Sequence, residues 1–428
     1  MQKQIVRELF QILELGGVIL LFVFALGIVL PAPLPTILNV ASYGILLLLI
    51  IGRWKHFAYV ITTDKSLLLL VVFTVFSILW SEGESVVDAA RGMIRTTIFG
   101  AYLAMRYTSR EQMRLLSWVF YIAIVLSLLA GAFLPSYGTH VVNGVSSWRG
   151  VFSHKQDLGR FMSFAASLFL ISALDKHSRW LAAIGLAGTL VLVKLSNSAT
   201  GLLTFVFSLS ILPFYAIVRQ RTYRAFHLAV ALLLSSIAAI VVTVNIQTIV
   251  VDYLGKDMEF NGRTPIWNLV IEKGLERPFL GYGYAGFWSS DAADEVLSRT
   301  WLGMVEEKGD NVDSGKKQSR GISHNGFLDL FLQLGLSGLI LFIFNLSMLF
   351  ARVFILVFAT RNLEYFWMIV FIGINLVTNI SDSLTILEAN NIFWVVYVSV
   401  ALSSSLELGR LRRKHKQMKD SGNLTVAT

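Results

Sequence analysis

The chain is 428 residues long, 55% hydrophobic and only 15% charged, with a net charge of +9 and a mean hydropathy of +0.66. Soluble domains carry about 25% charged residues, so this chain has too little charge to cover a water-facing surface. Cysteine is absent, which excludes disulfide staples, thiol metal ligands and a thiolate nucleophile.

Long apolar runs recur near 12–30, 37–51, 67–80, 114–134, 161–174, 180–195, 201–218, 226–248, 327–351, 363–380 and 391–408. Each can satisfy its backbone hydrogen bonds as a helix inside lipid. The stretch 91–107 is interrupted by Arg91, Arg95 and Arg106. Counting it as a helix gives twelve spans and puts both termini on one side. The loop charges agree with that count. With Lys3 and Arg7 inside, the inner turns carry Arg53, Lys55, Lys65, Arg110, Arg114, Lys176, Arg179, Arg219, Arg221, Arg224 and Arg361, and the chain ends in a basic tail. The opposite turns are uncharged, as at Pro31–Thr36, or acidic, as at Glu82, Glu84 and Asp88. This is a positive-inside pattern, so the net charge reads as topology charge near anionic lipid rather than as a nucleic-acid surface. The first run has no small-residue cleavage site before Pro31–Pro35 and is expected to be a retained helix rather than a signal peptide.

The expected fold is therefore an all-α polytopic membrane protein. Residues 1–248 would supply nine helices, with an outer loop at 135–160. A large outer loop would follow at 249–326, three more helices at 327–409 and a basic inner tail at 410–428. Two outer loops break the charge rule. The first carries Arg149, His154, Lys155 and Arg160; the second carries Arg263, Arg277, Arg299, Arg320 and His324 among many acids. Basic residues on the translocated side need another reason to be there.

Within the large loop, Thr264-Pro265 predicts a helix N-cap with proline at the first position, and Gly274 predicts its end. The apolar run Ile266–Ile271 between them suggests a short helix lying on the membrane surface. Asp310–Arg320 has the composition of a mobile lid. Gly281-Tyr-Gly283-Tyr-Ala-Gly286 matches a dinucleotide fingerprint letter by letter, yet lacks the strand before it and the helix after it, so the glycines read as a tight turn. Asp291, Asp294, Glu295, Glu306 and Glu307 match no metal spacing and read as solvated charge. Ser196–Gly201 is a small-residue stretch suited to close helix approach.

Two clusters carry chemistry. Arg149, Lys155 and Arg160 place three cations at the mouth of a helix, where arginine forks can clamp phosphate oxygens. Ser323-His324-Asn325-Gly326 stands just before the next span, and an imidazole there has the pKa best suited to proton transfer near neutrality.

Taken in order, Arg149-Gly-Val-Phe-Ser-His154-Lys155-Gln-Asp-Leu-Gly159, Asn261-Gly-Arg263-Thr-Pro-Ile-Trp267, Pro278-Phe-Leu-Gly281-Tyr-Gly283 and Ser323-His324-Asn325-Gly-Phe-Leu-Asp329 form a set. It is completed by Asn379-Ile-Ser-Asp382-Ser and Asn390-Asn-Ile-Phe-Trp394. The set resembles the O-antigen ligase and exopolysaccharide polymerase superfamily of bacterial inner membranes, over roughly residues 145–400. Gln156 is a departure, because relatives often carry asparagine after the lysine. The resemblance implies an integral-membrane glycosyltransferase of the GT-C type, working at the periplasmic face without a metal or other cofactor. The donor would be a polyprenyl-diphosphate glycan such as an undecaprenyl diphosphate, and the acceptor a lipid-linked repeat unit or lipid A core. By the same resemblance His324 is the base, and Arg149, Arg263, Arg160 and Lys155 are the diphosphate ligands. His154, Asn325, Asp329 and Tyr282 are expected to support them. Polymerase is favoured over ligase. A transporter of the same lipids is the alternative of another class, although its charges would sit at mid-membrane rather than at helix ends.

Overall fold

The computed structural model describes residues 2–83, 86–142, 145–176, 178–219, 263–300, 323–381 and 386–420. The span expected at 226–248, the lid at Asp310–Arg320, Glu306, Glu307 and Asp382 lie outside the described residues. The chain is mainly helical. It begins with α1 (Gln2–Ala25), α2 (Leu34–Ile51), α3 (Trp54–Ile61) and α4 (Lys65–Phe76), which a 3-10 turn extends to Trp80. Next come α5 (Val86–Arg106), α6 (Ser109–Phe133) and a single turn α7 (Pro135–Gly138). After these stand α8 (Lys155–Ser172), α9 (Arg179–Ser196), α10 (Ala199–Arg219), α11 (Arg263–Glu276) and α12 (Asp291–Ser298). The chain closes with α13 (Gly326–Thr360), α14 (Leu363–Ser381) and α15 (Ile392–Asp420).

Six of these helices are long and apolar enough to cross a membrane, and a seventh span arises if α3 and α4 count as one path bent by 95°. This is a multi-pass membrane protein, but twelve spans are not reached among the described residues. The segments expected at 91–107 and 161–174 coincide with α5 and α8, which end at Arg106 and Ser172. The all-α expectation needs one amendment. Strands β1 (Thr139–Val142) and β2 (Val145–Trp148) pair antiparallel in the first outer loop, with Thr139 opposite Trp148. Their Val-rich sequence favours extended backbone, and the apolar-span search had no window for so short an element.

Several polar and charged groups inside the bundle are met by partners. Arg95 is buried and donates to Asn39 Oδ1, Ser42 Oγ and Asn390 Oδ1. Its guanidinium carbon lies 4.2 Å from the centre of the Phe24 ring and 4.5 Å from that of Tyr43. Arg106 pairs with Glu14 at 2.5 Å. Asp64 caps α4 by accepting from Leu67 N at 3.1 Å and also pairs with Arg352 of α13. Ser66 and Asn345 extend this network to the Tyr397 hydroxyl on α15. In lipid such bonds contribute only about 0.6 kcal/mol each on average, so their effect is to fix register between helices already held by packing. That packing centres on rings of three elements, α8, α14 and α15. Phe164 stacks on Trp367 and Phe393, with Phe161 and Phe371 beside them.

Candidate functional site

The site is built at one end of the bundle, where α8, α13 and α15 begin and α14 ends. Helix α13 starts under a cap from Asn325, whose Oδ1 accepts from Phe327 N at 3.0 Å and from Leu328 N at 3.3 Å. Immediately before it, His324 takes a left-handed backbone with φ of 56° and stays half-buried. A histidine at positive φ stores backbone energy and persists only where its surroundings over-determine it. Here both neighbours are fixed. Ser323 N–H donates to both carboxylate oxygens of Asp329 at 3.2 and 3.3 Å, and Ser323 O accepts from Trp267 Nε1 at 2.9 Å. Asp329 is itself buried and also accepts from Trp288 Nε1 at 2.9 Å. The turn bearing His324 is thus clamped between α11, the 287–289 turn and α13.

These contacts change the reading of the large loop. Helix α11 is described from Arg263 and runs on to Glu276, so Thr264 is helical rather than the cap. Gly274 does not end it; a Cβ there would meet the Phe331 ring at 2.3 Å, so the glycine serves close packing against α13. Nor does α11 lie alone on a surface. Ile266, Val270, Tyr282, Phe287, Ala293, Val296 and Leu332 form a second core, making residues 263–300 a small folded lobe. Local periodicity shows a helix but not what it packs against, which is why the lobe was missed.

The glycine turn holds as expected, with φ of 66° at Gly281 and 85° at Gly283. It also docks the lobe into α13, which is broken at Gly335 with φ of 63°. Leu336 N–H would ordinarily donate to Leu332 O and Ser337 N–H to Gln333 O. Instead Leu336 donates to Pro278 O at 2.7 Å and Ser337 to Phe279 O at 3.2 Å. The freed carbonyls of Leu332 and Gln333 accept from Tyr282 N and Gly283 N, both at 2.8 Å. The lobe supplies a partner to each of these four backbone groups. Arg277 adds a bridge to Glu82 at 3.1 Å, and the Tyr284 hydroxyl donates to Leu387 O at 2.6 Å.

The expected cations are placed unequally. Arg149 ends the hairpin, is half-buried, and uses its Nε on Tyr137 O at 2.8 Å, which leaves the fork of the guanidinium outside that bond. Arg263 opens α11, half-buried, on the same helix as Trp267. Lys155 is the first residue of α8, with His154 exposed at the capping position. Arg160 is buried one turn further in and paired with Asp157, so it belongs to the interior of α8 rather than to its mouth. Gly159 and Gly201 meet backbone to backbone there, as the small-residue stretch suggested. Tyr282 is likewise engaged in packing. Its hydroxyl donates to Glu276 at 2.8 Å, and burial together with that carboxylate pushes its pKa up to about 12. Lys273 pairs with Glu276 at 2.8 Å and Glu295 at 2.6 Å, holding both carboxyls below the usual range. Asp291 and Asp294 are exposed in the first turn of α12, as solvated charge should be.

Sequence reading missed Trp288 and Gln333, whose amide oxygen accepts from Ala285 N at 3.1 Å. Both act across long separations, and no spacing signal marks them. Residues 182–343 match the family model Wzy_C, O-antigen ligase. The matched segment contains Arg263, Tyr282, His324, Asn325 and Asp329, and ends before neither anchor of the lobe; residues 149–160 lie ahead of it. The comparison with curated proteins gives no match.

Proposed function

From the O-antigen ligase domain that this chain carries at 182–343, we propose a membrane glycosyltransferase that moves a glycan from a polyprenyl-diphosphate donor to a glycan hydroxyl at the periplasmic face of the bacterial inner membrane. The observation that carries the reading is the clamped turn at His324, a proton acceptor fixed at a helix mouth inside the matched segment. Arg263 of α11 and Arg149 of the hairpin are assigned to the diphosphate, with Lys155 beside them; the burial of Arg160 makes it a support of that mouth. A diphosphate departs as an anion, so fixed arginines can stabilise the developing charge and no general acid is required. His324 then takes the proton of the acceptor hydroxyl as that oxygen attacks the anomeric carbon. Direct displacement inverts the anomeric centre.

The acceptor is assigned as a second lipid-linked repeat unit, which makes the enzyme a polymerase of exopolysaccharide or O-antigen units. A ligase passing the chain to lipid A core is the nearest alternative, and a flippase of the same donor the more distant one. Purified protein supplied with donor and acceptor in detergent tests all three. A ladder of products supports the polymerase, one transfer per acceptor supports the ligase, and no glycosidic bond without a bilayer supports transport. A covalent glycosyl-enzyme or retained anomeric configuration would sink the displacement mechanism.

A further inference from the structure

At the end of the bundle opposite His324 lies a cavity of about 1000 Å³, open between α6, α8, α9 and α14. The helices fix the distance. Helix α6 begins at this cavity with Ser109 and ends 25 residues later beside the hairpin that carries Arg149. That length is about 37 Å at 1.5 Å per residue, a full bilayer core, so the two sites face opposite surfaces.

The cavity is lined by four cations, Arg110, Arg114, Lys176 and Arg361, against two carboxylates, Asp175 and Glu364. Arg110 is neutralised by Asp175 at 2.5 Å. Arg114, Lys176 and Arg361 are in no ion pair among the described residues, although three cations share one concavity. Arg361 ends α13 in a left-handed backbone, φ 59°, a position that normally falls to glycine or asparagine. Its conformation turns the chain so that an arginine lines the cavity where a smaller residue would suit the cap better. Below the charges the wall is aromatic. Trp118, Tyr121 and Phe169 follow one another with ring centres 5.7 and 4.7 Å apart. Cations over an apolar aromatic wall, at the end of membrane helices, complement a phosphate joined to an acyl chain.

We propose that this cavity binds an anionic phospholipid, with its phosphate held by Arg114, Lys176 and Arg361 and an acyl chain along Trp118, Tyr121 and Phe169. The excess of two cations over carboxylates matches a headgroup with two phosphates best. The site is separate from glycan transfer and does not depend on it.

The test uses the full-length protein in a neutral detergent, with binding followed by native mass spectrometry and by thermal melting. A two-phosphate phospholipid should bind and raise the melting temperature, while a zwitterionic phospholipid of the same chains and inorganic phosphate should do neither. Arg114→Gln/Arg361→Gln should weaken lipid binding at least about ten-fold, as expected when two surface cations facing one headgroup are removed. Lys176→Gln, on an exposed loop, gives the same direction should the double variant fail to fold. Arg412→Gln/Arg413→Gln on the exposed end of α15 should leave binding unchanged. Equal binding of the zwitterionic lipid, or loss in the α15 variant, would overturn the site. Protection by inorganic phosphate alone, or tighter binding of a polyprenyl phosphate, would overturn the phospholipid assignment.

Discussion

Asp329→Asn is the sharpest test of the clamped turn. Asp329 accepts three hydrogen bonds, two from Ser323 N–H in a shared arrangement and one from Trp288 Nε1. Hydrogen bonds to a charged acceptor contribute about 1.5–3 kcal/mol each, and an asparagine must turn an NH2 toward one of these donors. The net loss of restraint is therefore about 2–3 kcal/mol. Against it stands the preference of residue 324 for an ordinary right-handed backbone, roughly 1–2 kcal/mol for a non-glycine residue. The two are of the same size, so losing the first lets the second act. Since each 1.4 kcal/mol is tenfold, the held turn should fall in population by roughly thirty- to hundred-fold. The assay is glycosidic bond formation with saturating donor, alongside membrane insertion and melting temperature. The expected result is a lower kcat with an unchanged KM for the donor, since the cations are untouched. Trp288→Phe removes one of the bonds and should cost at least about ten-fold. Wild-type turnover in a correctly inserted Asp329→Asn protein would refute the idea that this carboxylate holds His324 for catalysis.

His324→Ala should abolish transfer while leaving insertion and donor binding intact; measurable turnover would dismiss it as the base. Arg263→Lys keeps the charge but loses the planar fork, so donor KM should rise at least about ten-fold in steady-state kinetics. Gly281→Ala places a Cβ 2.5 Å from Leu332 O at a left-handed position, and should destabilise the docked lobe by about 2 kcal/mol or more, read as faster hydrogen exchange over 263–300. Acid should loosen the same lobe. The carboxyls of Glu276 and Glu295 are held down by Lys273, so the stability they add is present above pH 4.5, their ordinary pKa, and is lost as pH falls through the lower folded values. Hydrogen exchange at 263–300, corrected for its intrinsic pH dependence, should therefore rise below that pH, and Lys273→Met should remove most of the change.

Composition and apolar runs made the membrane class legible, because lipid imposes a length and a hydropathy that no soluble helix shares. Eleven of the expected segments coincide with helices; the one holding Arg95 buries that cation on partners that only the folded chain supplies. The ordered motifs pointed to the end of the bundle where His324 stands. His324 and Asn325 were legible because they flank a span, and Arg263 because it stands at a helix start. What was not legible is the geometry between them: Trp288, Gln333 and the break at Gly335 depend on contacts of forty residues or more. Tyr282 and Arg160 show the converse. Their residue types suit a binding site, yet both side chains are buried, which composition does not show.

The exchange of backbone hydrogen bonds at Gly335 also sets the order of assembly. Residues 263–300 leave the ribosome before Gly326–Thr360, so the lobe meets Ser77, Ser81 and Glu82 first, and its backbone partners Leu332 and Gln333 exist only once that later helix is made. The helix can cross first as an unbroken rod, with Leu336 and Ser337 donating within it. Docking then exchanges those bonds for Pro278 and Phe279. A break without the lobe would leave those four backbone groups without these partners. The bend, and the turn that carries His324 above it, therefore need both the lobe and the later helix in place.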